Sequence, residues 1–329
     1  MTATIPMTSM TSPIDSGPSA SGPAGANRRA SKRAGAERRR PLYFFAVPAL
    51  VVYGMFFVVP TFQALYYSFF NWEGPGTSPA FVDIENYKTK ILDDTTFQNS
   101  VWVSLKFMLL VVVFQTLLAL GLSLMLTKNS RGTIFLRSLY FFPTILSSSA
   151  VAFVWNFVYD PSSGLVTTVL EKLGISYRPA LMGSPKTAIV FLAVVQVWFH
   201  AGQMMVVFVA GLQQIPQDYI EAAEIDGASR WQRFRSITWP LLGPATAIVV
   251  AYTTLQSFRA FDLVYIMTEG GPLNSTRILG FHIYKTAFES FSFGAAAAES
   301  VLFMALIATV TFMQRRVLRF TKADLTGGA

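Results

Sequence analysis

Long apolar runs separated by short polar segments set the plan of this chain. Six of them, roughly Tyr43–Phe70, Val101–Leu126, Leu139–Tyr159, Ala188–Leu212, Leu241–Met267 and Ala295–Phe312, approach or exceed the ~20 residues that a helix needs to cross a hydrocarbon core. The last begins among small residues, Gly294 to Ala298, and extends toward Arg315. None shows the two-residue alternation of a barrel strand. The pattern predicts an all-α membrane protein with a bundle of six transmembrane helices. Pro48, Pro60, Pro143 and Pro244 lie within or at the ends of these runs, where neighbouring helices can satisfy the backbone groups they free.

Composition agrees with that picture. Of 329 residues, 52% are hydrophobic and 13% charged, about half the charged share of a soluble domain. One soluble core could not hide so much apolar surface. Cysteine is absent, which excludes disulfides, thiol chemistry and Cys-based metal sites. The net charge of +8 is concentrated rather than spread. Arg28, Arg29, Lys32, Arg33, Arg38, Arg39 and Arg40 fall on one side of the six runs, with Lys128, Arg131 and Arg137. Arg230, Arg233, Arg235, Arg315, Arg316, Arg319 and Lys322 fall on that side too. The opposite side holds Lys88, Lys90, Lys172, Arg178, Lys186, Arg277 and Lys285 among a comparable number of acids. The positive-inside bias therefore predicts that both termini and the loop near 216–240 are cytoplasmic.

The chain divides into a tail over 1–40, a membrane domain over 41–320 and a short cytoplasmic tail over 321–329. The first tail is Ser, Pro, Gly, Thr and Ala followed by arginines, a composition expected to be disordered. It lacks a cleavage site and is not read as a signal peptide. Its arginines suit anionic lipid headgroups. No aromatic residues interleave with them as a nucleic-acid surface would require.

One polar segment stands out between the fourth and fifth runs. Pro216 suits a first helical turn, and Asp226-Gly227 can end that helix. Ser229 with Gln232 reads as a capping box for a second helix, and Pro240 marks its passage into the fifth run. Glu221-Ala222-Ala223, Gly227, Ile237 and Pro240 are in the register of the EAA loop, and the segment resembles that of binding-protein-dependent ABC importer permeases. The resemblance covers about Pro41 to Phe320. Phe81-Val-Asp-Ile-Glu-Asn86-Tyr87 with Phe97 is similar to the segment before the second span of sugar-type permeases, with Asp83 where that family usually has glycine. Phe135-Leu-Arg137 through Pro143, Trp155, Asp160-Pro161 and Gly164-Leu165 match the third span. Phe261-Asp262-Leu-Val-Tyr265-Ile-Met267-Thr268-Glu-Gly270-Gly271-Pro272, with Thr276 and Tyr284, looks like the maltose- and glycerol-phosphate-type carbohydrate branch.

The resemblance implies a transport subunit in a bacterial-type plasma membrane. It implies a second homologous permease, two ATPase subunits and an extracellular sugar-binding protein as partners, with a carbohydrate as cargo. Glu221, Ala222, Ala223, Asp226, Gly227, Ala228, Phe234, Ile237 and Pro240 would form the ATPase-coupling element. Ala222, Ala223 and Gly227 would allow close approach, Glu221 would offer charge, and Ile237 and Pro240 would anchor the loop. ATP and Mg²⁺ are expected on the partner ATPase and no cofactor on this chain, which has no G-x-x-x-x-G-K-[ST] phosphate loop. No catalytic constellation and no metal site is expected. His200 and His282 lack ligand spacing and read as packed or interfacial polar residues.

Polar groups at membrane depth mark a candidate pathway, because such groups face partners or a wet cavity. Lys106, near the end of the second run, reads as a snorkelling side chain. Arg259 and Asp262 are spaced to pair on one helical face or to act as gate groups. Gln115, Ser147, Ser148, Ser149, Asn156, Gln196, Gln203, Tyr252, Thr253 and Gln256 are neutral and suit sugar hydroxyls, although helix–helix hydrogen bonding uses the same types. Tyr140, Trp155 and Trp198 offer rings for stacking. The pathway candidates are thus Tyr140, Trp155, Gln196, Trp198, Gln203, Tyr252, Gln256, Arg259 and Asp262. The competing class is an ion-coupled secondary transporter. It would need an intramembrane carboxylate relay, for which Asp262 and Glu299 are the available acids, and an internal repeat that the sequence does not display.

Overall fold

The computed structural model describes residues 40–176 and 180–326, with side chains over 47–176 and 180–316. Residues 1–39 and 327–329 of the two expected tails lie outside the described residues, as does Arg178. Two units divide the chain, Met1–Thr61 and Phe62–Ala329. In the first, α1 (Arg40–Tyr53) carries Pro48 and passes into a π turn at Gly54–Val58. Tyr53 stacks on Phe57 at 5.0 Å, and Thr61 Oγ1 donates to the Phe57 carbonyl at 2.7 Å. The helix α2 spans Val59–Tyr67, and Val47–Tyr67 is apolar and long enough to cross a membrane.

After the end of α2, the second unit continues with a two-stranded hairpin, β1 (Phe70–Asn71) against β2 (Ala80–Phe81), pairing Phe70 with Phe81. Asp83 follows at φ 52°, in the left-handed region, a conformation aspartate tolerates better than most residues. The turn is kept without glycine. After α3 (Glu85–Lys88) and a π turn at Thr89–Asp93 comes α4, Thr95–Met125, capped by Asp94 accepting from the Phe97 N–H at 2.8 Å. Then follow α5 (Arg131–Phe141), a 3₁₀ turn (Phe142–Ile145), α6 (Ser148–Val158), α7 (Leu165–Lys172) and α8 (Ala188–Gln213). The remainder comprises α9 (Gln217–Ile225), α10 (Arg230–Arg233), a π turn (Phe234–Thr238), α11 (Trp239–Leu241) and α12 (Gly243–Phe258). It ends with α13 (Phe261–Met267), α14 (Leu279–Tyr284), a π turn (Lys285–Glu289) and α15 (Phe293–Thr326).

Among the described residues, four of the apolar runs are helices able to cross a membrane, and two are bent pairs, giving up to six spans by length and composition. The third run was expected as one helix over 139–159. Instead α5 with its 3₁₀ turn meets α6 at 100°. Pro143 lacks the N–H that would continue the ladder, and Leu146 and Ser147 are extended. The fifth run bends by 66° between α11 and α12, beside Gly243-Pro244. It breaks again at Arg259-Ala260 before α13.

The most extensive helix pairing joins α4 to α8. Two apolar clusters result. One gathers Phe107 and Val111 of α4, Val151 and Ala152 of α6, Leu192 and Phe199 of α8, and Leu263 of α13. The other gathers Ala119 and Leu120, Met204, Met205 and Phe208, and Leu242, Ala245 and Val249. Gly202 permits α5 to reach α8, since a Cβ there would overlap the Tyr140 carbonyl.

A charged cluster ties the segment before α4 to the last span. Lys90 Nζ lies 2.8 Å from Asp94 Oδ2 and 2.8 Å from Glu299 Oε1. Thr286 Oγ1 donates to Glu299 Oε1 at 3.1 Å. His282 is buried, as expected for a packed polar residue, with Nε2 3.3 Å from Glu299 Oε1 but without hydrogen-bond alignment. Ligand atoms of Asp94, His282 and Glu299 lie within 4.8 Å of one another, and the Lys90 ammonium pairs with both carboxylates. Burial opposes charge on Lys90, but hydrogen bonds to Asp94 and Glu299 outweigh it and raise its pKa above the ordinary 10.5. Burial likewise opposes charge on Asp94, where the Lys90 and Phe97 hydrogen bonds prevail and lower the pKa.

Glu299 is fully buried, so removing its counter-ion should be costly. Lys90→Met should destabilise the folded protein by about 3–5 kcal/mol, read as a lowered unfolding midpoint in detergent. Lys90→Met combined with Glu299→Met should recover much of that loss. Asp94's contribution should be complete above its ordinary value of 3.8 and be lost progressively as pH falls from there through its lowered folded value, read from unfolding midpoints against pH.

Candidate functional site

Two regions contain the predicted site residues. The first is the segment from Pro216 to Pro240. Pro216 occupies the N-cap of α9, one position before the helix expected to start on it. The helix ends through paired backbone bonds, Gly227 N–H to Glu224 O at 3.1 Å and Ala228 N–H to Ala223 O at 2.9 Å. This is a Schellman closure, with Gly227 at φ 76°. A Cβ at Gly227 would meet nothing, so its backbone conformation, not crowding within this chain, calls for glycine. Ser229 and Gln232 form the expected capping box at the start of α10. Glu224 pairs with Arg233 across the turn, bracing α9 against α10.

Glu221, Ala222, Asp226 and Gly227 are exposed, while Ala223, Ala228, Phe234, Ile237 and Pro240 are partly covered. Glu221 accepts from Gln217 Nε2 at 2.8 Å. Phe234 packs against the second apolar cluster and stacks with Trp231 at 5.6 Å, joining the loop to the helices. Motif positions alone missed three large apolar side chains, Tyr219, Ile225 and Trp231. Ile225 is 86% exposed, and with Tyr219 and Trp231 it gives this short segment three large exposed apolar side chains. Their size amid polar neighbours was the available signal.

The second region is a polar layer between the two apolar clusters. Gln115 lies between Val111 of one and Ala119 of the other. Its Nε2 reaches Thr253 Oγ1 at 3.3 Å and Gln256 Oε1 at 3.2 Å. Gln256 Nε2 in turn contacts Gln203 Oε1 at 3.5 Å, and Gln203 Nε2 donates to the Tyr252 hydroxyl at 3.2 Å. This chain of amides links α4, α8 and α12. Gln115 Oε1 is buried without a protein partner.

Beside it is a cavity of about 130 Å³ lined by Ser148, Gln196, Phe199, His200, Gln256, Arg259, Ala260, Asp262 and Leu263. Gln196, Gln256, Arg259 and Asp262 therefore meet there, and Gln203 and Tyr252 join through the amide chain. Trp155 and Trp198 pack edge to face at 5.4 Å. Tyr140 neither lines the cavity nor enters the chain. Arg259 and Asp262 do not form the predicted ion pair, because the helix breaks between them and Asp262 accepts from the Ser148 hydroxyl instead. His200 also lines the cavity, a role its spacing could not disclose.

With this geometry in place, known proteins offer comparison. The family model for "Binding-protein-dependent transport system inner membrane component" matches residues 116–322. A probable ABC transporter permease of Pyrococcus horikoshii is 34% identical over 283 residues, covering 84% of this chain and 97% of that one. An sn-glycerol-3-phosphate transport system permease of Brucella abortus is 33% identical, covering 83% and 93%. A multiple sugar-binding transport system permease of Streptococcus mutans is 32% identical, covering 82% and 92%. Among solved structures, a bacterial alginate ABC transporter in complex with its alginate pentasaccharide-bound periplasmic protein contains a chain of the same fold. Its TM-score is 0.73 at 18% identity, covering 87% of this chain and 96% of that one.

The amide chain predicts a non-additive pair of substitutions. Gln256→Leu should cost about 1–3 kcal/mol by leaving Gln115 Nε2 short of a partner. Adding Gln115→Leu should cost less than the two single effects summed, as read from unfolding midpoints of the purified protein.

Proposed function

We propose, from the premise that this chain belongs to the family of binding-protein-dependent transport system inner membrane components, that it is a permease subunit of an ATP-driven carbohydrate importer. The chain is a multi-pass membrane transport component. The observation that carries the finer reading is the braced turn of residues 216–240, which presents Tyr219, Ile225 and Trp231 outward. Such a rigid element with apolar anchors suits the groove of a separate ATPase, with ATP and Mg²⁺ bound there. The bias of Lys and Arg supports a cytoplasmic position for this loop and both termini.

In this reading, ATPase closure moves the segment from Glu221 to Phe234. Phe234 and Ile237 transmit the displacement to α12, whose bend beside Gly243-Pro244 supplies a flexible joint. The spans then alternate between access to either side. A second homologous permease completes the pathway, two ATPase subunits drive it and an extracellular sugar-binding protein delivers cargo. The relatives named for glycerol phosphate and sugars, and the alginate transporter of like fold, favour a hydroxyl-rich substrate. The polar layer suits that chemistry. Gln196, Gln203, Gln256 and Tyr252 offer amides and a hydroxyl, Gln115 Oε1 offers an unpaired acceptor, and Trp155 and Trp198 offer rings. Arg259 and Asp262 would orient or gate the passing cargo. Against ion coupling, Asp262 is engaged by Ser148 while Glu299 is engaged by Lys90 and Thr286.

Ile225→Asp and Trp231→Ala should reduce ATPase co-purification about tenfold or more, the effect of losing an interface anchor worth over 1–2 kcal/mol. The isolated permease should keep its unfolding midpoint. Substrate uptake in proteoliposomes should fall in parallel. Undiminished ATPase capture, or uptake that persists without any ATPase, would refute the coupling role.

A further inference from the structure

Residues 160–175 fall outside the long apolar runs, yet they carry an apolar face. Leu165, Val169 and Leu173 recur every fourth position, which places them along one side of α7 and its end. They are 61%, 47% and 68% exposed. On α6, Phe153, Val154 and Phe157 are exposed too, with Phe157 at 78%. Between the two helices lies an open groove of about 420 Å³, lined by Val154, Phe157, Val158, Ser163, Leu165 and Thr168.

The groove is held open by a firm corner. Asp160 accepts from the backbone N–H groups of Ser162 and Ser163 at 2.9 and 2.7 Å and from both their hydroxyls. Those bonds, led by the Ser162 hydroxyl, hold its pKa at about 2. Gly164 allows the start of α7 to lie on the end of α6, where a Cβ would overlap the Asp160 backbone. Thr167 Oγ1 donates to the Asp160 carbonyl at 3.2 Å. The polar side chains of the lining are engaged internally, Ser163 with Asp160 and Thr168 with the Gly164 carbonyl at 2.9 Å. A hydrated or hydroxyl-rich ligand would find little to bond there.

We propose that this groove takes an acyl chain of the surrounding bilayer, with α7 lying in the interface of the leaflet opposite the 216–240 loop. That leaflet is assigned because α6 and α7 precede the start of α8, whereas the loop follows its end. Two features select lipid over a protein occupant. The groove is continuous with the apolar face of α6, part of a membrane-spanning pair, and its lining combines apolar side chains with polar groups already satisfied. An amphipathic helix of this kind buries its apolar side about 5–10 Å into the boundary between headgroups and chains. Glu171, exposed on the other side of α7 from Val169, is left toward the headgroups, while the Lys172 ammonium reaches them from the end of the apolar side. The proposal requires a membrane protein but not a particular cargo or energy source.

The absence of cysteine makes the test clean. Nitroxides would be placed singly at Leu165→Cys, Val169→Cys and, on the other side of the helix, Glu171→Cys in the assembled transporter, held in nanodiscs of phosphatidylethanolamine and phosphatidylglycerol. Collision with oxygen should exceed collision with an aqueous nickel chelate severalfold at 165 and 169, and the order should reverse at 171. Benzoylphenylalanine in place of Val154 should crosslink to phospholipid. Greater chelate access at 165 and 169 would overturn the proposal by showing a groove open to water. Protection from both reagents, with crosslinking to another polypeptide, would overturn it by showing a protein cover. Variants would be scored only where assembly by gel filtration matches the parent.

Discussion

A buried amide whose donor group finds its partners on a neighbouring helix governs the middle of this protein. Gln115 lies on α4 with apolar residues a turn away on either side, and it is fully buried. Leaving it unpaired would cost about 1–3 kcal/mol, so its partners on α12 cannot move independently of it. Gln256 then engages Gln203, and three helices acquire a shared register at one level. The apolar clusters above and below exclude looser arrangements, because a shift of one helix would carry amides into hydrocarbon contacts. The same layer that fixes the register is hydrophilic, so packing and the proposed passage would draw on the same residues.

Breaks in the helices create the room that straight spans would fill. Pro143 and the extended Leu146-Ser147 turn α6 away from α5. The interruption at Arg259-Ala260 releases Asp262 from the face of α12, so that it meets Ser148 rather than Arg259. Together these departures assemble the small polar cavity beside Gln256. Its residues come from distant parts of the sequence, and no regular helical spacing joins them. The Gly202 contact brings α5 close on the other side, where any larger residue would push it away. Irregular backbone at membrane depth is tolerated where it is buried in protein or lines a cavity, and here it does the latter.

The segment 216–240 works by a different physical logic. Its turn is specified locally, through a Schellman closure at Gly227, a capping box at Ser229 and the Glu224–Arg233 pair. Phe234 then fastens it to the apolar cluster around Phe208 and Leu242. A locally determined element joined to the bundle by an aromatic hinge can move as one piece, a property that a coupling role requires. The ammonium of Lys90 plays a comparable fastening part at the beginning of α4. There it neutralises a carboxylate on the last span that would be untenable alone.

Much of this was legible in the amino-acid sequence because it depends on neighbours along the chain. Hydropathy marked the six apolar runs, and capping chemistry marked the turn at Asp226-Gly227 and the helix beginning after Ser229. Length and hydropathy alone read the third and fifth runs as straight, although Pro143 and Pro244 were visible, since a proline in a span can be accommodated or can break it according to its surroundings. Spacing likewise offered Arg259 and Asp262 as a pair, and put Tyr140 among the pathway residues without a means of locating it. Pairings between distant segments, Gln115 with Gln256, Ser148 with Asp262 and Lys90 with Glu299, were decided only in the tertiary structure. Local backbone geometry is set by a few adjacent residues, whereas the partner of a buried polar group is whichever side chain the packed helices bring within hydrogen-bond reach.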